Sequence, residues 1–422
     1  MVSNPSLPKD KIPVLLLEGI SDTAVAALAK AGYHNVERLT GALDEQTLIE
    51  KLTDVRILGI RSRTQVTANI LNSTSRLMAV GCFSVGTNQI DLDAAQHRGV
   101  PVFNAPFSNT RSVAELTIAE IVMLYRRTFQ RSVSAHTGIW QKSAHQSHEV
   151  RGKTLGIVGY GNIGTQLAAL AEAMGMRVIY FDQTDKLRYG NVEPAASFDD
   201  LLAKSDVITL HVPETDATRN MIGPAEIAKM KDGALLINNA RGTLIDLEAL
   251  AAAIKSKKLS GAAIDVFPTE PSSNKDAFRS PLQALENVIL TPHVGGSTIE
   301  AQERIGAEVA GKLTEYSDVG STIGAVNFPE VLLPPRPAGT RFLQVQRNEP
   351  GALGRLNEVF FAHNINISGQ HYQTMGEVGY VVLDAEGEIH NSKALLCDIR
   401  NLNNTIRARK LNRLEESNAG SP

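Results

Sequence analysis

Between Thr154 and Leu290 six short apolar runs recur: Thr154–Val158, Val178–Phe181, Val207–Leu210, Ala234–Asn238, Ala262–Asp265 and Val288–Leu290. Helical spacing of apolar residues fills the intervals between them. Runs that are apolar throughout, rather than alternately, belong to strands buried on both faces, and strands joined through helices run parallel. The pattern predicts a doubly wound α/β sheet. A weaker form of the same rhythm precedes it. Pro13–Leu17, Val55–Ile60 and Val100–Phe103 read as strands, and Ser21–Ala31 and Asp91–Arg98 as helices. Between the two regions, Ser112–Tyr125 is a mostly apolar helix, too hydrophobic to be solvated all round and so expected at a domain or subunit contact.

After residue 296 the pattern changes. Ile299–Tyr316 is helical, and Asp318–Pro335, rich in Gly, Ser and Pro, reads as a linker. The next stretch fits βαββαβ, with elements Arg341–Gln346, Ala352–His363, Ile365–Gln373, Val378–Leu383, Lys393–Arg400 and Thr405–Arg409, a ferredoxin-like module. The polar tail 411–422 is expected to be disordered.

Composition narrows the function. A chain of 422 residues suggests two or three domains. Its 42 Lys+Arg against 45 Asp+Glu leave a net charge of −3, which gives no electrostatic reason to expect nucleic acid or an anionic membrane. Two cysteines, Cys82 and Cys397, support neither a disulfide framework nor a multi-cysteine zinc site, so no metal is expected. Cys82 reads as a small buried residue. No apolar run is long enough to span a bilayer and no leader pattern opens the chain, so a cytoplasmic protein is expected.

Gly159-x-Gly161-x-x-Gly164 directly follows the first strand of the strong sheet and opens a helix. Alone the spacing is common; in this place each glycine has a task. Gly159 permits a tight turn, Gly161 lets a pyrophosphate approach the backbone, and Gly164 lets the helix pack on its strand. The N–H groups of Asn162 and Ile163 then face the phosphates at the positive end of the helix. Asp182 ends the second strand, placed to accept hydrogen bonds from ribose hydroxyls. Its charge repels a 2′-phosphate and Gln183 offers that phosphate no cation, which favours NAD over NADP. Lys186 and Arg188 stand close by.

Three later strands end in charged groups on the side where such sheets bind ligands: Arg241 after Ala234–Asn238, Asp265 and Glu270 after the next, and His293 after the last. Oxidising an alcohol needs a base for the hydroxyl proton, and an imidazole oriented by a carboxylate suits that task. A bidentate guanidinium would hold a substrate carboxylate. Asp265 lies closer to its strand and is expected to bond the nicotinamide carboxamide. Ala240, Gly295 and Gly296, in the flanking turns, are expected at the coenzyme. In the first region Arg61, Ser62 and Arg63 follow a strand, Ser84 and Gly86 sit in a turn-rich loop, and Asn104 opens the link between domains. All are candidate substrate contacts. Trp140, the only Trp, and Lys142 follow the long apolar helix.

On the stretches 159–164, 238–242, 265–271, 291–293 and 327–330, the chain resembles the D-2-hydroxyacid dehydrogenase family, and its last region resembles an ACT domain. The resemblance runs from about Val14 to Arg409. It implies a Rossmann NAD domain at 109–296, a discontinuous substrate domain at 1–108 and 297–336 closing on hinges, and an ACT regulatory domain at 340–410. It gives Arg241 the substrate carboxylate, His293 the acid/base role and Glu270 the tuning of His293. It implies that Arg61, Ser62 and Arg63 contact substrate and that Trp140 and Lys142 reach a neighbouring subunit of a homotetramer. In the branch that carries an ACT domain, the implied reaction is NAD-dependent oxidation of 3-phospho-D-glycerate to 3-phosphohydroxypyruvate, the first step of serine synthesis. Reduction of 2-oxoglutarate to 2-hydroxyglutarate is a related activity. L-Serine is the implied effector, meeting Gln346, Asn348 and Asn366 between paired modules; serine-sensitive relatives commonly carry His where Gln346 stands. The competing readings are a glyoxylate- or hydroxypyruvate-type dehydrogenase, which has no use for a phosphate pocket, and a non-catalytic NAD-sensing protein, which has no use for the Arg, Glu and His set.

Overall fold

A computed structural model describes residues 7–271, 275–334, 339–386, 389 and 392–411; the expected tail from Asn412 lies outside them. The chain forms two compact units, residues 1–108 with 302–422, and residues 109–301. The return from the second to the first falls inside the helix Ile299–Asp318.

The first unit contains the strands β1 (Val14–Leu16), β2 (Val36–Arg38), β3 (Ile57–Ile60), β4 (Ala79–Cys82) and β5 (Val102–Phe103). They make a parallel sheet in the order β2-β1-β3-β4-β5, the flavodoxin-like arrangement. The helix Ile299–Asp318 crosses this sheet closely. A Cβ on Gly81 would stand 2.7 Å from Leu313 and 2.8 Å from Val309, so glycine in β4 is a packing requirement.

In the second unit, β6 (Thr154–Val158), β7 (Arg177–Phe181), β8 (Glu193–Pro194), β9 (Val207–Leu210), β10 (Ala234–Asn238), β11 (Leu259–Ile264) and β12 (Val288–Leu290) form one parallel sheet. Its order is β12-β11-β10-β9-β6-β7-β8, doubly wound, with the topological switch point between β6 and β9. The apolar helix Thr110–Arg126 covers this sheet: Ala114, Ile121 and Leu124 share a core with Leu155, Ile157 and Ile237. Burial against its own sheet accounts for its hydrophobicity.

The module at the end of the chain belongs to the first unit. Strands β13 (Thr340–Arg347), β14 (Ile367–Met375), β15 (Val378–Ala385) and β16 (Thr405–Leu411) are antiparallel in the order β14-β15-β13-β16. On one face Phe342, Val381 and Leu383 pack on the helices Ala352–Ala362 and Ser392–Asn401. On the other, Leu343, Val345, Tyr380 and Val382 share a core with Val309, Leu313 and Phe328 of the same unit. Polar groups fix that contact. The buried Arg341 donates to Asp384 at 2.6 and 2.7 Å and to the Val319 carbonyl at 3.0 Å. The Tyr380 hydroxyl donates to the Gly320 carbonyl at 2.6 Å. The expected linker, as far as it is described, is therefore corrected: Thr322, Asn327 and Phe328 are buried. Asn327 accepts from Val102 N at 2.8 Å and donates to the Val100 carbonyl at 3.0 Å. Its Gly/Ser/Pro content shapes turns in a packed segment, not a solvated tether.

Candidate active site

The glycine turn is built as its spacing requires. Gly159 has φ +94°, and a Cβ there would lie 2.8 Å from the His211 backbone. A Cβ on Gly164 would lie 2.5 Å from the Gly159 carbonyl oxygen, so the helix Asn162–Ala173 can seat on the turn only through glycine. A Cβ on Gly161 would meet nothing within 4 Å. Open space over that glycine, at the mouth of a twelve-residue helix, fits a pyrophosphate received by backbone N–H groups. Asp182 reaches back to this turn: its Oδ2 accepts from Tyr160 N at 2.9 Å and its Oδ1 from Thr184 N at 3.1 Å. Lys186 Nζ lies 3.8 Å from the same carboxylate, so the nearby cation is matched by Asp182 itself.

Past β10, β11 and β12 the charged groups come together. His293 Nδ1 and Glu270 Oε2 are 2.9 Å apart. An ionised carboxylate can only accept, so Nδ1 carries the hydrogen and Nε2 is the basic atom of the ring. The bond and charge of Glu270 hold the imidazole above its ordinary value, against burial and the Arg241 cation. Burial pushes the Glu270 carboxyl up, but His293, the Phe267 N–H and Arg241 outweigh it and leave it below the usual carboxylate value. Arg241 is thus close enough for its charge to act on both partners. Burial lowers the guanidinium somewhat, opposed by Glu214 and Glu270, and it remains a cation at any physiological pH.

Two local devices hold this arrangement. A Cβ on Gly242 would stand 2.0 Å from the Phe267 carbonyl carbon, so the turn carrying Arg241 lies directly on the backbone leading to Glu270. His293 itself has φ +55°, a left-handed conformation uncommon outside glycine. Asp265 enforces it. His293 N donates to the Asp265 carbonyl at 2.8 Å, and the buried Asp265 carboxylate accepts from Thr291 Oγ1 (2.6 Å), Val294 N (2.8 Å) and Gly295 N (2.8 Å). The residue read as a nicotinamide contact is thus also the clamp of the histidine loop. A Cβ on Gly295 would lie 3.0 Å from that carboxylate, and one on Gly296 2.8 Å from Asn109. Ala240 N donates to Asn238 Oδ1 at 3.1 Å, and the Ala240 carbonyl accepts from Arg241 Nη1 at 2.7 Å.

Sequence reasoning missed Asn239 and Glu120 behind this turn. Asn239 Nδ2 donates to Glu120 Oε2 at 2.7 Å and to Thr117 Oγ1 at 3.0 Å. Glu120 is wholly buried, and burial pushes its carboxyl up to about 7. A lone Glu in an apolar helix carries no sequence signal beyond its neighbours' hydrophobicity.

In the first unit Arg61, Ser62 and Arg63 follow β3 at the surface or partly exposed. Ser84 Oγ donates to the Gly86 carbonyl at 2.8 Å, and the buried Asn104 donates to the Val85 carbonyl at 2.6 Å, tying the 84–86 loop to the end of β5. In the second unit Trp140 is 85% exposed, and Lys142 is exposed too. In the antiparallel module Asn348 and Asn366 are exposed, whereas Gln346 is wholly buried and accepts from Asn404 Nδ2 at 2.9 Å. Gln346 therefore does not share the surface of the two asparagines. Among the described residues no cluster of three metal-ligating side chains occurs, and no helix is long and apolar enough to cross a membrane.

Residues 118–295 match the NAD binding domain of D-isomer specific 2-hydroxyacid dehydrogenases. Over 406 residues the chain is 53% identical to the D-3-phosphoglycerate dehydrogenase of Escherichia coli (strain K12), covering 96% of this chain and 99% of that one. The chain belongs to the D-isomer specific 2-hydroxyacid dehydrogenase family. Residues 342–407 of this family member match an AHAS small subunit-like ACT domain. The Haemophilus influenzae D-3-phosphoglycerate dehydrogenase is 52% identical over 411 residues, covering 97% of this chain and all of that one. Among solved structures, the Aquifex aeolicus D-lactate dehydrogenase complexed with NAD and lactic acid is 30% identical. It has a TM-score of 0.65 and covers 75% of this chain and 100% of that one. As a 2-hydroxyacid dehydrogenase, the protein is an NAD-dependent oxidoreductase acting on a CH–OH group.

Proposed function

We propose that this dehydrogenase oxidises 3-phospho-D-glycerate to 3-phosphohydroxypyruvate with NAD, the first step of serine synthesis. The observation that carries the chemistry is the Glu270–His293 pair at 2.9 Å, clamped by Asp265 within reach of the Arg241 charge. Near-full-length identity with enzymes named for this substrate supports its choice. Gly159, Gly161, Asn162, Ile163 and Gly164 would hold the pyrophosphate and Asp182 the adenosine ribose, with Ala240, Asp265, Gly295 and Gly296 nearer the nicotinamide. When bound, NAD supplies the acceptor for hydride from the substrate carbon. Arg241 holds the carboxylate beside that carbon. His293 Nε2 takes the hydroxyl proton as the C=O bond forms, and Glu270 stabilises the imidazolium. Arg61, Ser62 and Arg63 read the phosphate, with Ser84, Gly86 and Asn104 shaping the neighbouring loop. Exposed Trp140 and Lys142 serve an adjoining subunit's site in a homotetramer, and the setting is cytoplasmic.

The ACT module supports regulation by an amino acid, L-serine, bound at Asn348 and Asn366, with buried Gln346 shaping the strand rather than touching it. Reduction of 2-oxoglutarate is a second activity the same triad can perform, since that substrate also presents a carboxylate beside a ketone. NADH formation with 3-phosphoglycerate and with D-glycerate tests the main reading, and NADH consumption with 2-oxoglutarate the second, each with and without serine. Equal kcat/KM for the phosphorylated and unphosphorylated acids would remove the phosphate claim. Full activity at millimolar serine would remove the effector claim.

A further inference from the structure

We infer that Glu18, a residue outside every motif of the sequence, is the positioning residue for substrate recognition by Arg61 and Arg63. The inference rests on the proposed reading that the segment 61–63 binds the substrate phosphate. Glu18 follows β1 and is 3% exposed. Its Oε1 accepts from Arg61 N (3.1 Å) and Thr64 N (2.9 Å), and its Oε2 from Arg63 N (3.0 Å). Arg63 Nε lies 3.7 Å from Oε2, and Arg61 Nη1 donates to the Glu18 carbonyl at 3.4 Å. Glu18 adopts φ +61°, so the backbone is held in a left-handed turn that brings the carboxylate under the loop.

Convergent backbone N–H groups at a strand end make an anion nest. Here the protein's own carboxylate fills it. Two consequences follow. The N–H groups of Arg61, Arg63 and Thr64 are not offered to a substrate anion, so recognition falls to the two guanidinium groups and Ser62. The loop also cannot shift without breaking three charge-assisted hydrogen bonds. A second side chain locks the same segment from the other side: Gln89 Nε2 donates to the Arg61 carbonyl and lies 2.9 Å from Cys82 Sγ, joining the 61–64 loop to the 82–86 loop. Glu18 touches neither reacting atom nor coenzyme; it acts through where Arg61 and Arg63 are placed.

The test is steady-state kinetics of the full-length enzyme with four variants: Glu18→Gln, Glu18→Asp, Arg61→Gln and Arg63→Gln. Glu18→Gln keeps the shape but replaces one acceptor oxygen with a donor facing N–H groups. It is expected to raise KM for 3-phosphoglycerate by about 10-fold or more, the loss of one or two hydrogen bonds to a charged group. KM for NAD should hold within about twofold and kcat within about threefold, because the coenzyme and proton-transfer groups are untouched. Glu18→Asp, which keeps the charge and shortens the reach, should fall between; it carries the test alone if Glu18→Gln does not fold. A merely structural role would lower the active fraction, and with it kcat, without moving KM for the acid. If either arginine variant raises that KM and the Glu18 variants leave it unchanged, the inference is wrong and the phosphate reading stands. If both arginine variants leave it unchanged, the phosphate reading itself fails.

Discussion

Replacing Glu270 with Gln keeps the side-chain volume and removes the charge that His293 relies on. The pair is 2.9 Å apart and open to water, with side-chain exposures of 36% for Glu270 and 49% for His293. Two unit charges near 4 Å interact by about 1 kcal/mol in water and about 4 at an effective dielectric of 20. The exposure places this pair toward the lower end, about 1–2 kcal/mol after solvent screening. In the proposed mechanism that energy stabilises the imidazolium that forms as the hydroxyl proton leaves, so kcat for oxidation should fall about 5- to 30-fold. The sign of the pH effect is fixed as well. Glu270 raises the histidine's proton affinity, so the variant should reach its neutral, basic form at lower pH. The rising limb of the oxidation profile should move toward acid while its plateau drops. NADH formation followed across the pH range reads both. A limb that stays in place, or moves toward alkali, would refute the argument.

Other expectations follow from particular contacts. Asp182→Ala should weaken NAD binding by about 10-fold and let NADP support turnover, since the lost group is the one proposed to accept ribose hydroxyls and repel a 2′-phosphate; an unchanged NAD/NADP ratio of kcat/KM would contradict it. Gly242→Ala should abolish activity, because its Cβ would press on the Phe267 carbonyl carbon 2.0 Å away and force apart the turns carrying Arg241 and Glu270; kinetics and thermal melting check it. Burial first, and then the Asp265 charge, raises the carboxyl of Glu120 to about 7, against the Asn239 hydrogen bond. A folded-state value above the unfolded one makes wild type lose stability as pH rises from about 4.5 through about 7, by about 3 kcal/mol in total. Glu120→Gln should therefore gain on wild type in urea melts at alkaline pH and show no such gain near pH 4, below both values. Asp384→Ala should cost about 3–5 kcal/mol, because it strands the wholly buried Arg341 guanidinium; a loss below about 1 kcal/mol in the same melts would refute that.

Six of the seven strands in the sheet of the second unit were legible because their runs are mostly apolar, four of them matching end to end, whereas β8 is exposed Glu193-Pro194 and carries no such signal. Strand β2 was not legible either, since Val36–Arg38 is a largely exposed edge with no apolar run. Strand β4 escaped because Ala79-Val-Gly-Cys82 is small-residue sequence selected by the close approach of a helix far along the chain. The same long-range packing hid the burial of 318–334, whose composition imitates a linker while Phe328 and Asn327 anchor it. At the site, Arg241, Glu270 and His293 were readable as candidates because each lies in the turn that follows a strand. Glu18, Gln89 and Glu120 were not, because what they do depends on partners 28 to 119 positions away or on burial, which local pattern does not report.

His293→Ala tests the central claim most directly, with turnover of 3-phosphoglycerate and NAD affinity measured on the same preparation. Removing the proposed acid/base group should lower kcat by about 10²- to 10⁴-fold while NAD binds as in wild type. Turnover close to wild type, or coenzyme binding lost along with it, would contradict the account.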